Sequence, residues 1–105
     1  MKLDEMTLAA DRVSDLMKTL SNKTRLLILC ELADGEKSVG ELAVRLAARD
    51  AAVSQQLALL RRDGLVRRRR DGQTVYYGLA RNDIGRLMAF LHQTYCGEPD
   101  HNRNQ

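Results

Sequence analysis

The sequence is short of several residue types, and each shortage narrows the classes of protein that it encodes. It has no tryptophan, one phenylalanine and three tyrosines, so few aromatic side chains are available to line a substrate pocket. A single proline among 105 residues favours an ordered, helix-rich chain. No stretch approaches the roughly 18 apolar residues that span a bilayer, and the N-terminus lacks the pattern of a secretion signal. We therefore expect a cytoplasmic protein that folds as one domain over residues 1–105, with a polar tail at about 97–105.

Catalytic and disulfide-stabilised classes are also disfavoured by what is missing. The sequence contains no Gly-rich phosphate loop and no recognisable set of nucleophile and base, so we expect no enzyme, no catalytic residue and no resident cofactor. Only two cysteines, Cys30 and Cys96, are present. In a reducing compartment they do not predict a permanent disulfide, and they are either inert or reversibly redox-active.

Arginine is the residue type that the sequence concentrates. The formal net charge is only +3, but six arginines fall between positions 61 and 70, opposed there by Asp63 alone. Such a cluster is typical of a surface that binds a polyanion, with an ordinary solvated charged face as the alternative.

Hydrophobic spacing predicts five helices and one β-hairpin. A capping box at Ser38 and Glu41 marks the start of the third helix, and an Asp71-Gly72 turn joins two strands rich in arginine or in β-branched and aromatic residues. The first predicted helix covers residues 7–20, and the second is capped by Ser21 or Asn22 and ends at 34–35. The third covers residues 39–46, and the fourth starts at Asp50 and ends near 63–64. The last helix is capped by Asn82 or Asp83 and ends at 97–99. This order predicts a mainly α fold with a small β-hairpin wing, the winged helix-turn-helix.

The fourth helix and the wing hold the candidate DNA-binding residues. With Val53, Leu57 and Leu60 turned inward, the outer face of the helix carries Ser54, Gln55, Gln56 and Arg61, and Gln55 is the first candidate for base readout because glutamine pairs bidentately with adenine. Alternation along a strand separates Arg67 and Arg69 from Arg68 and Arg70. We expect Arg69 and Arg70, next to the turn, to contact DNA, and Arg67 to shield the sheet or pair with a carboxylate.

Several of these segments together resemble the ArsR family of bacterial repressors. The run VSQQLALLRRDGLV at 53–66, then RRDG at 69–72 and YYGL at 76–79, carry the resemblance, with LSNKTRL at 20–26 upstream. The chain departs from the family pattern at Lys23, where proline is usual, and at Gln56, where histidine is common. The resemblance implies a homodimer that binds double-stranded operator DNA and is built from the first and last helices, in agreement with apolar stripes on both. The expected interface residues are Leu16, Leu20, Ile84, Leu87, Met88 and Leu91.

Members of this family respond to a ligand, which is often a metal. The family's thiolate site would need cysteines at the places of Ala43 and Arg45, and its zinc-type site would need a histidine where Gly85 stands, although Asp83 and His92 are present. Since we cannot assemble about four ligands, we expect no metal site.

The two cysteines resemble those of the persulfide-sensing, SqrR/BigR-like branch of the family, with one in the second helix and one at the end of the last. That resemblance implies that Cys30 and Cys96 are redox-sensing residues joined by a disulfide or polysulfide bridge when reactive sulfur species act as inducer, which derepresses sulfide-response genes. An arsenite or soft-metal sensor is an alternative, weakened by the presence of only two thiols. A winged-helix interaction module that does not bind DNA is another, and the arginine cluster argues against it.

Overall fold

The computed structural model describes residues 1–96, and within that range the chain forms five helices and three strands. The predicted polar tail at 97–105 lies outside the described residues. The elements are α1 (Leu3–Leu20), α2 (Lys23–Ala33), β1 (Lys37–Ser38), α3 (Val39–Leu46), α4 (Asp50–Arg62), β2 (Val66–Asp71), β3 (Thr74–Leu79) and α5 (Asn82–Tyr95).

The second helix supplies the centre of the core. Asn22 caps α2 because its side-chain oxygen accepts the backbone N–H of Arg25 at 3.0 Å. Ile28 and Leu29 are fully buried, and residues from every later helix and from the start of β2 close around them. The rest of this core consists of Leu32, Leu42, Ala43, Val53, Leu57, Leu60, Leu65, Val66, Ile84 and Met88.

The first helix differs from the others because none of its 18 residues is buried. Only its C-terminal end, through Leu16 and Leu20, packs on the core. Leu8 remains 84% exposed, and Met17 is 46% exposed. Nor is any helix within residues 1–96 long and apolar enough to cross a membrane.

A third strand, which sequence reasoning missed, completes the sheet. β1 pairs antiparallel with β3, placing Lys37 opposite Tyr77, so the strand order is β1-β3-β2. Two residues carry too little alternation to be recognised in a sequence. The hairpin is as predicted except at its turn, where Asp71 still pairs with Thr74 and Gly72 and Gln73 make the reversal.

Two helix starts also differ from the prediction by one or two residues. Arg49 and Arg81 occupy the N-cap positions of α4 and α5, and neither makes a side-chain cap bond. Asp50 and Asn82 are instead the first residues of these helices, and Asp83 lies in the first turn of α5. An acidic residue there still interacts favourably with the positive end of the helix dipole.

Candidate nucleic-acid interface

The helix-turn-helix consists of α3, a three-residue turn and α4. The predicted capping box is confirmed: Ser38 Oγ accepts the N–H of Glu41 at 3.2 Å, and Glu41 Oε1 accepts the N–H of Ser38 at 2.8 Å. Ala47 ends α3 in the left-handed region, at φ 52° and ψ 44°. That conformation reverses the chain at once, so α4 leaves at an angle to α3 and presents its outer face to solvent.

The outer face of α4 is largely as predicted. Val53, Leu57 and Leu60 are fully buried, whereas Ser54 and Gln55 are exposed. Arg61 is also exposed. Gln56 differs from its neighbours: it is half-buried, and its Oε1 accepts a hydrogen bond from Arg25 Nη1 at 3.2 Å. One of the four candidates on this helix is therefore already bonded to another part of the protein.

One face of β2 is tied to a carboxylate that the sequence did not point to. Glu36 Oε2 accepts from Arg67 Nη1 at 2.6 Å, and Glu36 Oε1 accepts from Arg69 Nε and Nη2 at 3.0 and 2.8 Å. The Arg69 guanidinium also lies over the ring of Tyr76, 5.2 Å from its centroid. These hydrogen bonds lower the pKa of Glu36 to about 2, so its charge persists at neutral pH. We call Glu36, Arg67 and Arg69 the wing clamp.

The opposite face of β2 carries arginines without such a partner. Arg68 lines a groove of about 370 Å³ together with Arg61, Arg62, Ala58 and Tyr77. Within residues 1–96, neither Arg68 nor Arg70 makes an ion pair. Arg67 thus pairs with a carboxylate, which is one of its two predicted roles. Arg69 shares that carboxylate with Arg67. The two arginines next to the turn, Arg69 and Arg70, therefore differ in their partners, although the sequence predicts DNA contacts for both.

One cysteine lies on α2 and the other directly follows α5, and these two helices pack against each other. Cys30 is half-buried in α2, and its thiol donates to Met88 Sδ at 3.5 Å. Burial raises the pKa of the Cys30 thiol, and the charge of Cys96 is the next cause, followed by those of Glu31 and Asp34. Cys96 is exposed just beyond α5, where its N–H donates to the carbonyl of His92 at 2.8 Å. Each thiol thus stands on, or directly beyond, one of two helices that pack against each other.

Two of the six predicted dimer-interface residues need a correction. Ile84 and Met88 are 0% and 2% exposed within one chain, so they cannot form a surface for a partner. The other four residues, Leu16, Leu20, Leu87 and Leu91, are half-buried against the same core. A helical apolar stripe looks the same in a sequence whether it covers its own domain or a second copy. The exposed apolar side chains of these helices lie elsewhere, at Leu3, Met6, Leu8, Val13, Met17, Phe90 and Tyr95.

Some members of the family that the sequence resembles hold metal ligands at positions whose residues make other contacts here. Arg45 pairs with Glu31, and Asp83 pairs with Arg81 at 2.6 Å. Ala43 is buried. Among residues 1–96, no group of three or more His, Cys, Asp or Glu side chains is arranged to hold a metal ion.

Comparison with known proteins identifies the family that shares this architecture. Residues 22–68 match the family described as bacterial regulatory protein, arsR family. The transcriptional activator HlyU of Vibrio cholerae serotype O1 is 46% identical over 96 residues, which cover 91% of this chain and 89% of that protein. The structure of reduced HlyU from that species superimposes with a TM-score of 0.83.

Two further solved structures share the fold. The transcriptional repressor BigR from Xylella fastidiosa has a TM-score of 0.86 at 36% identity, covering 93% of this chain and all of that one. A homodimeric winged helix-turn-helix DNA-binding domain from Mycobacterium bovis has a TM-score of 0.73 at 34% identity, covering 89% and 86%. HlyU and BigR are transcriptional regulators, and the winged helix-turn-helix prediction is confirmed. The chain belongs to the ArsR family of bacterial transcriptional regulators.

Proposed function

We propose that this chain is a thiol-based repressor, which binds operator DNA as a reduced homodimer and is released when reactive sulfur species link Cys30 to Cys96. The observation that carries the proposal is the placement of the two thiols. Cys30 lies on α2, and Cys96 directly follows the last residue of α5, the helix that packs against α2. No other pair of thiols exists in the sequence.

Operator contacts are assigned to α4 and the wing. Ser54 and Gln55 are exposed on the outer face of α4, and Gln55 is the candidate for bidentate pairing with adenine in the major groove. The sequence-predicted candidates for phosphate contacts are Arg61, Arg69 and Arg70, and Arg68, which makes no ion pair within residues 1–96, joins them. Of these, Arg69 contributes least, because its guanidinium already donates twice to Glu36.

A two-fold dimer supplies a second copy of α4, the recognition helix that reads the DNA bases. The proposed interface joins the exposed apolar side chains of α1 with Phe90 of α5, which is 60% exposed. The homodimeric domain that this chain resembles supports the same assembly. Phe90→Glu should give monomers with weak operator affinity, whereas Val44→Glu, which adds the same charge at an exposed apolar residue of α3, should leave the dimer intact. A wild-type monomer in sedimentation at micromolar concentration would exclude this interface.

The sensing chemistry starts at the exposed thiol. Cys96, as thiolate, attacks the terminal sulfur of a small persulfide RSSH, takes up that sulfur and releases the thiol RSH. Cys30 then attacks the inner sulfur of the Cys96 persulfide, a disulfide forms and sulfide leaves. Two protein thiols and one RSSH thus give one disulfide, one RSH and one hydrogen sulfide. Each further bridging sulfur consumes one more RSSH and releases one more RSH.

The Cys30–Cys96 bridge affects DNA binding through the packing of α2. This helix contacts α4 as well as α5, so a covalent link between α2 and α5 acts on the helices that set the spacing of the two recognition helices. Half-sites are read about one helical turn apart, and a small change of spacing removes specific affinity. Release requires binding weaker by about tenfold to a hundredfold, or about 1.4–2.8 kcal/mol.

Repression is the direction we infer for this chain. Its relatives carry both names, with BigR called a repressor and HlyU an activator. Loss of DNA binding on sulfur exposure fits derepression of genes that respond to sulfide. A reporter fused to the operator should rise on deletion of the chain's gene, and a fall would overturn repression.

The decisive experiment is operator binding measured by fluorescence anisotropy before and after a persulfide donor, with mass spectrometry of the same samples. The reduced wild type should bind tightly, gain an intramolecular Cys30–Cys96 bridge and lose at least tenfold in affinity. Cys30→Ser and Cys96→Ser should bind like the reduced wild type and show no response. A double variant that still leaves DNA on treatment would show that the inducer acts elsewhere.

A further inference from the structure

Arg25 joins three helices through one side chain. It stands in the first turn of α2, where it is half-buried. Its Nε donates to the carbonyl oxygen of Thr19, near the end of α1, at 2.9 Å. Its Nη1 donates to Oε1 of Gln56 on α4 at 3.2 Å. The guanidinium is therefore held at one end by α1 and at the other by the helix that faces DNA.

This contact decides which way the amide of Gln56 points. A guanidinium only donates hydrogen bonds, so the amide atom beside Arg25 has to be the oxygen. The NH2 group consequently lies on the side away from Arg25. Within residues 1–96 it donates to no protein acceptor, and Gln56 is half-buried next to the exposed Gln55. A half-buried amide with a fixed oxygen and a free NH2 group is a directional donor.

We propose that Gln56 reads the operator as a hydrogen-bond donor, in an orientation set by Arg25. In the major groove guanine offers two acceptors, N7 and O6, and thymine offers O4, whereas cytosine offers only its N4 donor. Bidentate pairing with adenine needs both the oxygen and the NH2 group of a glutamine, and Arg25 occupies the oxygen of Gln56. With only its donor free, Gln56 favours guanine or thymine over cytosine. Adenine can accept one bond at N7, but its N6 donor lies beside that atom, so adenine is disfavoured relative to guanine.

Neighbouring Gln55 provides the contrast. Its side chain is exposed and has no hydrogen-bond partner within the described part of the chain, so both ends of its amide are available to adenine. Two adjacent glutamines thus read different base edges, and a residue of α2, outside the helix that carries them, determines the difference. Arg25 is here a positioning residue, and Gln56 makes the contact.

The test is base preference, measured with reduced protein on a library in which each operator position is randomised. This inference rests on the proposed operator binding. Gln56→Glu keeps the contact with Arg25 as an ion pair but turns an acceptor outward. We expect preference at one position to move from guanine or thymine to cytosine or adenine by roughly tenfold or more. Arg25→Met, which keeps a long apolar stem without donors, should flatten preference at that same position. Gln55→Glu should change a different position.

Ratios between bases at one position are insensitive to a uniform loss of affinity from the added negative charge. If Gln56→Glu and Arg25→Met weaken all library members equally, Arg25 only braces the helices and the inference is wrong, while operator binding stands. If the wild type shows no sequence preference on any duplex, the proposed function fails and the inference fails with it. Circular dichroism of each variant checks that its overall helix content is unchanged.

Discussion

The two faces of strand β2 carry the same residue type and have different electrostatic surroundings. Arg67 and Arg69 share the carboxylate of Glu36 in the wing clamp, whereas Arg68 and Arg70 make no ion pair within the described residues. Arg68 instead opens onto a groove shared with Arg61 and Arg62 of α4. The number of arginines in a segment is therefore a poor measure of the positive charge that it offers to DNA.

The different partners of Arg69 and Arg70 change the free energy of a phosphate contact at each residue. A phosphate that approaches Arg69 has to compete with a carboxylate that already accepts two of its N–H groups. A phosphate that approaches Arg70 displaces only water and counterions, and this release drives the salt dependence of DNA binding. We expect the two faces to contribute unequally.

The largest effect should come from removing the unpaired face. The double variant Arg68→Ala, Arg70→Ala should weaken binding to every duplex and flatten the slope of log K against log salt by about two units, near 0.9 per lost phosphate contact. The matched variant Arg67→Ala, Arg69→Ala removes the same formal charge. Its slope should stay close to that of the wild type, and equal losses of slope in both variants would contradict the inequality of the two faces.

A smaller effect of opposite sign should follow from releasing the clamp. Glu36→Gln frees Arg67 and Arg69 for phosphate, so non-specific affinity should rise at low salt and the salt slope should steepen by about one unit. Glu5→Gln makes the same change of charge on α1, far from the wing in sequence, and serves as the control. Unchanged or weaker non-specific binding by Glu36→Gln would mean that the clamp chiefly holds the wing in place.

The smallest effect concerns the pH range of the clamp. Hydrogen bonds from Arg69 and Arg67 lower the pKa of Glu36 to about 2, so the clamp contributes stability above the ordinary pKa of a glutamate and loses it as pH falls through 2. Carbon-detected NMR between pH 4 and 8 should show no titration of this carboxyl group. In the Arg67→Ala, Arg69→Ala variant its pKa should return towards 4.5. A normal pKa in the wild type would show that the ion pairs do not persist in solution.

Local patterns were sufficient to predict most of the fold. Helical spacing located the helices, the Ser38–Glu41 box fixed the start of α3, and alternation along β2 correctly separated Arg67 from Arg68. Each of these signals lies within a few residues of chain. Such patterns do not show whether an apolar face is covered by the same chain or by a partner. The sequence therefore predicts Ile84 and Met88 in a dimer interface, although they lie in the core of their own chain.

The site was only partly predictable, because its most informative contacts join distant segments. Glu36 meets Arg67 across 31 positions, and Arg25 meets Gln56 across the same separation. Neither Glu36 nor Arg25 belongs to a motif that marks it as a partner of those residues. The exposed Ser54 and Gln55 followed from helical spacing alone, but which end of the Gln56 amide faces outward required the fold.

The strand order β1-β3-β2 has a consequence for self-association. Among residues 1–96, β2 has a strand on one side only, so its other side leaves backbone N–H and C=O groups open to pairing with another chain. Four consecutive arginines line that edge. Two such edges in register would bring like charges face to face, which disfavours addition of a second β2 strand. The arginines of β2, some of them proposed to contact phosphate, thus also protect the wing from edge-to-edge aggregation.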